Sequence, residues 1–162
     1  MIHLIVGNTG SGKTTYSNQL KAEIGGIVFS IDKWNKTLFL PDKKETNGLD
    51  WFLERIDRAE EMIMNLVEQL EATGTDSILD LGLAKKEHRE KFRAFALEKG
   101  FELKTHFLDL SKKTRWQRVL KRNTDKGDTF EFEVTQENFD FMEDWFEPPT
   151  QDEMTNGIVL GE

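Results

Sequence analysis

Residues 7–14 read Gly7-Asn8-Thr9-Gly10-Ser11-Gly12-Lys13-Thr14, a spacing that satisfies G-x-x-x-x-G-K-[ST] in full. The glycines let successive backbone N–H groups turn inward as an anion-binding nest at a helix N-terminus, where the dipole also favours negative charge. Lys13 brings a point charge to the β- and γ-phosphates of a nucleotide, and the Thr14 hydroxyl is of the type that ligates Mg²⁺. The motif needs a strand before it and a helix after it. The apolar run Ile2–Val6 supplies the first, and the helix-compatible Thr15–Glu23 supplies the second, with Thr15 beside the phosphates.

Three further places carry residues suited to the same chemistry. Asp32 follows the apolar run 27–31, on the rim where the phosphate loop should lie. A carboxylate there can accept a proton from a substrate hydroxyl attacking the γ-phosphate, or hold Mg²⁺ through water. A turn or helix-cap aspartate is the bland alternative. Asp80 lies in an otherwise apolar run before Leu81 and Gly82. It reads as a metal contact, as an acceptor-substrate contact together with Gly82, or as a buried structural Asp. In Thr114–Arg122, Arg115, Arg118 and Arg122 fall at i, i+3 and i+7, so a helix would put all three guanidinium groups on one face. Such a face suits a triphosphate whose charge spreads in a transition state.

Weaker candidates surround these. His3, His88 and His106 show no metal-ligand spacing, although His88 could line a substrate pocket. Trp34, Phe39 and Trp51 could shape an acceptor pocket but are of a type more often found in cores. The acidic and aromatic segment 131–147 reads as a solvated carboxylate face backing a packed face that includes Phe132, Phe139, Phe141, Trp145 and Phe146.

The elements that must position these groups alternate. Strands are expected at 2–6, 27–31, 77–81, 101–110 and 158–160. Helices are expected after the phosphate loop, from an Asp50 N-cap to about residue 73, over 86–99, from a Ser111 cap to about Arg122, and over 136–146 from a Thr135 cap. That rhythm implies a mostly parallel sheet covered on both faces, with ligands outside the carboxyl ends of its strands. The length of 162 residues has room for one domain. There is no cysteine, which removes disulfides and thiolate chemistry, and no run is apolar enough to span a bilayer. With no secretory signal, a cytoplasmic location is the default expectation. The net charge of −8 argues against a nucleic-acid groove as the main working surface, though not against a short 5′-end as substrate. The charge is uneven: basic residues crowd 112–126 and acidic ones 131–153.

The ordered set G-N-T-G-S-G-K-T (7–14), S-I-D (30–32), L-D-L-G (79–82), R-W-Q-R-V-L-K-R-N (115–123), V-T-Q-E-N-F (134–139) and F-E-P-P (146–149) resembles the small P-loop kinases related to adenylate kinase. It looks closest to AAA-type predicted kinases, which are similar to chloramphenicol phosphotransferases, zeta toxins and the 5′-kinase domain of phage polynucleotide kinases. The resemblance implies a three-layer α/β/α P-loop NTPase fold, a five-stranded sheet in the adenylate-kinase-like order, and a short lid over about 118–135 in a single domain. It also implies ATP or GTP with Mg²⁺ as donor.

On this reading Gly7 to Thr15, with Arg115 and Arg118, bind the nucleotide. Lys13, Asp32, Arg118 and Arg122 are catalytic, and Thr14, Asp32 and Asp80 face the metal. Asp32, Trp34, Asp80 and Gly82 face an unidentified hydroxyl acceptor, expected to be a small molecule. A nucleotide-hydrolysing regulatory module and a polynucleotide 5′-hydroxyl kinase are the rival readings.

Overall fold

The computed structural model describes residues 1–127, 130 and 133–161. Five strands, β1 (Ile2–Val6), β2 (Ile27–Ser30), β3 (Ser77–Asp80), β4 (Leu103–Leu108) and β5 (Ile158–Leu160), form one sheet in the order β2-β3-β1-β4-β5. Every pairing is parallel, with Ile2 opposite both Ser77 and Leu103. The helices are α1 (Lys13–Ile24), α2 (Ile31–Trp34), α3 (Leu49–Ala72), α4 (Lys86–Lys99), α5 (Lys112–Asp125) and α6 (Gln136–Trp145).

β1 is buried along its whole length because helices cover both faces of the sheet. Its alternation feeds two cores. Ile2, Leu4 and Val6 join Phe29, Leu79, Ile63, Val67 and Phe92 on the face covered by α3 and α4. Ile5 joins Ile78, Leu108 and Leu20 of α1 on the other. A third cluster of Val119, Val134 and Phe139, with Trp116 against it, packs α6 on α5.

The sheet order and parallel sense agree with expectation; several boundaries do not. β2 stops at Ser30, and Ile31–Trp34 is already a helical turn. Asp32 therefore stands in the first turn of α2, and residues 35–39 continue as a π-helical turn. β2 is an edge strand with Ile27 exposed. Gly48, not Asp50, caps α3, and Asp50 lies in its first turn, where its charge complements the dipole. α5 runs beyond Arg122 to Asp125 and ends where Lys126 adopts φ 46°. The Asn123 side chain bonds both N–H and C=O of Val134, so α5 is tied to the approach to α6. Of the segment expected to form a lid, 118–125 is helical, and Asp128, Thr129, Glu131 and Phe132 lie outside the described residues. Ser111 and Thr135 cap α5 and α6 as expected, accepting from Thr114 N–H and Asn138 N–H.

Candidate active site

The phosphate loop joins β1 to α1 and packs against α5. Gly10 has φ +81°, and a Cβ there would sit 2.5 Å from the Arg115 carbonyl oxygen, so the packing of the loop on α5 needs glycine at a position the motif leaves open. Gly12 caps α1 at φ +93°. The Lys13 ammonium donates to the carbonyls of Gly7 (2.8 Å) and Asn8 (3.4 Å). Burial pushes it below the usual lysine range. Asp80 and Asp32 oppose that shift, and Arg122 and Arg115 add to it.

The Thr14 hydroxyl donates to Asp80 Oδ2 at 2.9 Å. Burial raises the Asp80 carboxyl above the usual range, against the pull of Lys13 and of the Thr14 hydrogen bond. A hydroxyl and a carboxylate held this way are hard oxygen donors of the kind Mg²⁺ takes alongside water and phosphate oxygens, so the pair fits that ion. Among the described residues there is no group of three or more His, Cys, Asp or Glu that could hold a metal by themselves.

A cavity of about 900 Å³ opens at the carboxyl ends of the strands. Its floor is the loop from Thr9 to Thr15. Asp32, Asp80 and Gly82 line it toward β2 and β3, whereas Leu110, Leu160 and Gly161 line it toward β4 and β5. Arg118 and Arg122 enter from α5, and Asn138, Phe141 and Met142 from α6. Arg118 Nη1 donates to Ser11 O at 3.2 Å. Arg122 is held below its ordinary value by burial, opposed by the Asp32 charge, and its buried Nε has no hydrogen-bond partner among the described residues. The cavity thus has a cationic middle, a carboxylate end and an apolar end.

Not every residue singled out from the sequence reaches it. Arg115 shares the helix with Arg118 and Arg122 but is occupied elsewhere. Its Nη1 and Nη2 donate to the two carboxylate oxygens of Glu143 (2.6 and 2.8 Å), and it also donates to Leu110 O (2.9 Å) and Thr9 O (3.2 Å). Asn8 is buried and shapes the loop instead of lining the cavity. Its Nδ2 donates to Glu143 at 2.5 Å, and its Oδ1 accepts from Thr9 N–H at 2.7 Å. Gly7 likewise stays beneath the floor. Trp34 packs edge-on against Phe29 (6.2 Å) and, like Phe39, on the core; neither they nor Trp51 line the cavity. His88 pairs with buried Glu60 between α4 and α3, outside the cavity.

Glu143 is the residue that sequence reasoning missed. The pattern of 131–147 puts it on a solvated face, yet it clasps Arg115 and the phosphate loop at once. The available signal was a matched spacing: Lys112 and Arg115 face Asp140 and Glu143, each pair three residues apart. The uneven charge along the chain is thus partly an α5–α6 contact. Phe141 and Trp145 depart from expectation in the opposite sense, being 60% and 46% exposed while Phe139 is fully buried.

A parallel β2-β3-β1-β4-β5 sheet with a complete phosphate loop, and a hydroxyl–carboxylate pair at its foot, defines a P-loop NTPase domain. The chain belongs to the AAA domain family, whose profile matches residues 2–149. No curated protein matches the sequence. Among solved structures, the fold is similar to Kti12 of Chaetomium thermophilum in complex with ADP-AlF3, with a TM-score of 0.72 at 15% identity over 99% of this chain and 89% of that one. It is similar to the APS kinase CysC of Mycobacterium tuberculosis in complex with AMPPNP and APS, at 0.65 and 16% over 98% and 87%. A gluconokinase from Sinorhizobium meliloti matches at 0.61 and 14% over 98% and 81%.

Proposed function

We propose that this chain is a phosphotransferase that moves the γ-phosphoryl group of ATP or GTP to a hydroxyl acceptor of small-molecule size. The observation that carries the reading is the convergence of Lys13, the Thr14–Asp80 pair, Asp32, Arg118 and Arg122 on one cavity. Phosphates lie on the loop between Thr9 and Thr15, with Lys13 turned from its carbonyl partners onto the β- and γ-oxygens. The apolar end near Leu110 and Leu160 takes the nucleoside. The acceptor enters between Asp32 and Gly82.

The acceptor oxygen bonds to the γ-phosphorus as the bond from that phosphorus to the β–γ bridging oxygen breaks. The hydroxyl proton passes to the Asp32 carboxylate, and the nucleoside diphosphate leaves. Arg118 and Arg122 neutralise charge on the transferring group. Mg²⁺, when bound through Thr14 and Asp80, supplies charge neutralisation at the phosphates. The Thr14–Asp80 hydrogen bond favours that role for Asp80 over acceptor binding. The chain acts as a single domain in this reading, with Arg118 and Arg122 reaching the phosphates from α5. The kinases among the similar structures, and the nucleotide analogues bound in two of them, support the reading.

The test is transfer of γ-labelled phosphate from ATP by wild type and Asp32→Asn into metabolites, nucleosides and 5′-hydroxyl oligonucleotides. The expected result is a labelled product lost in Asp32→Asn, which still binds ATP. Label released only as free phosphate, at a rate no acceptor changes, would favour a nucleotide-hydrolysing regulatory module instead. An oligonucleotide product alone would make the chain a polynucleotide 5′-kinase.

A further inference from the structure

α6 presents two aromatic side chains that the core does not use. Phe141 and Trp145 stand one turn apart, their rings stacked at 5.8 Å between centroids and 19° between planes. Packing against the rest of the molecule is done by their neighbours: Phe139 is fully buried at 4.9 Å from Trp116, and Phe146 stacks on Phe107 at 6.2 Å. The exposed pair is not a general surface feature, because Phe141 lines the cavity. Trp145 lies under the Lys85 ammonium, 4.2 Å from its ring centroid, and Lys85 belongs to the loop that follows Gly82 at the carboxylate end of the same cavity. Phe141 thus borders the cavity itself, and Trp145, which is not among the residues lining it, extends the stacked pair toward the Lys85 loop.

The electrostatics of this flank narrow what it can hold. Lys85 is already paired with Glu147 at 3.0 Å, so its charge is not available to an anion. Asp144 is exposed on the same turn of α6. A ligand here meets flat π surface and a compensated or negative rim, which suits an uncharged planar ring and repels phosphate or carboxylate. Stacking of a base on an aromatic side chain is strong and tolerant of ring identity.

We propose that Phe141 and Trp145 form the acceptor platform, and that the hydroxyl acceptor carries an uncharged aryl or heteroaromatic ring, a nucleoside being the simplest of the class. The inference rests on the phosphotransferase reading for the meaning of "acceptor", and the ring-binding claim is tested separately. The platform grips the ring while Asp32 faces the hydroxyl, so its loss raises KM for the acceptor and leaves kcat in place.

The experiment uses the full chain saturated with a non-hydrolysable ATP analogue. Nucleosides and aryl alcohols are titrated against ringless polyols and sugars, following tryptophan emission and calorimetric heat. Ring compounds should bind and quench emission. Trp145→Phe should remove most of the quench and keep the heat. Phe141→Ala with Trp145→Ala should weaken ring binding by about tenfold to a hundredfold. Replacing both by Leu, which keeps apolar area without a π face, should weaken it comparably, and circular dichroism of each variant should match wild type. In the transfer assay the same variants should raise acceptor KM.

Ring binding without transfer to any acceptor would uphold the platform and count against the phosphotransferase reading. Transfer to ringless acceptors at a rate the double variant does not change would overturn the platform and leave that reading standing. A raised KM for ATP alone would place the donor base on these rings, and a concentration-dependent dimer lost in the double variant would make the pair a self-interface. Either of those two results overturns the proposal.

Discussion

Two buried arginines make nearly the same contacts and do different work. Arg89 donates from Nε and Nη2 to the two oxygens of Glu153 (2.6 and 3.1 Å) and from Nη1 to Leu83 O, Ala84 O and Glu147 O. Arg115 embraces Glu143 in the same bidentate way and adds two backbone carbonyls. The first pair is sealed, with both side chains 1% exposed, and it pins the segment 147–153 to the exit of β3. In the second, Glu143 is 18% exposed and its other partner is Asn8 of the phosphate loop. Guanidinium–carboxylate chemistry is constant across the two. What differs is how far water can follow when the pair breaks, and what the freed backbone was doing.

The sharpest break of this comparison is to remove one partner of each pair. Arg89→Ala or Glu153→Ala should cost about 3–5 kcal/mol in urea unfolding, because an uncompensated charge stays buried. Replacing both by apolar residues of similar volume should recover most of it. If Arg115→Ala costs as much, depth of burial is not the distinction. Acid should also weaken the Arg89 pair: burial alone would raise Glu153, but Arg89 and Thr150 hold it below the usual range, so its contribution is present above about pH 4.5 and lost as pH falls through the lower folded value.

A third buried polar set has no bidentate partner and titrates the opposite kind of group. Tyr16 OH and His106 Nδ1 are 2.7 Å apart, and His106 Nε2 lies 2.9 Å from His3 Nδ1. Burial first, with His3 and Lys104 adding, lowers His106 to about 4. Since the unfolded chain binds the proton more readily, stability should fall as pH drops from about 6.5 to about 4, by on the order of 2–3 kcal/mol. Unfolding of wild type and His106→Asn at pH 7 and pH 4.5 checks this. The variant should lose less on acidification.

Glu143→Gln should cost about 1–2 kcal/mol of stability, and in addition should weaken nucleotide binding roughly tenfold by loosening Asn8 and Thr9; calorimetry and urea titration read the two separately. A stability loss matching Arg89→Ala, with no change in affinity, would erase the contrast between the pairs. The smallest effects should come from the caps. Thr135→Ala and Ser111→Ala should each cost about 1 kcal/mol by thermal unfolding. Thr135→Ala should also shift nucleotide affinity in the Glu143 direction, because α6 carries that clasp.

What the residues disclosed depended on whether the deciding partner was near in sequence. The phosphate loop and β1 are local patterns and stand where the motif requires. β2 reads one residue too long because Ile31 is itself buried, so a helical turn mimics the strand's apolar run. Gly48 gives no side-chain signal as a cap, and Asp50 two residues on has the right chemistry in the wrong place. The arginine spacing on α5 places all three side chains on one face, but only contact with Glu143, 28 residues later, shows that Arg115 is intercepted. On α6, Phe139 is inward and Phe141 outward because Trp116 and Val119 occupy one side of that helix, which helical periodicity alone cannot reveal.

The central place of β1 also orders assembly in time. Its neighbours begin at Ser77 and Leu103, so each pairing of Ile2 spans a long stretch of chain. During synthesis the phosphate loop emerges before β3 and β4, so β1 cannot be sandwiched until β4 arrives, and Glu143 comes later still. Such non-local pairing is slow to form. A nucleotide analogue should therefore recognise only chains completed past α6, which makes ligand capture from a stalled-synthesis series a direct clock for folding of the whole domain.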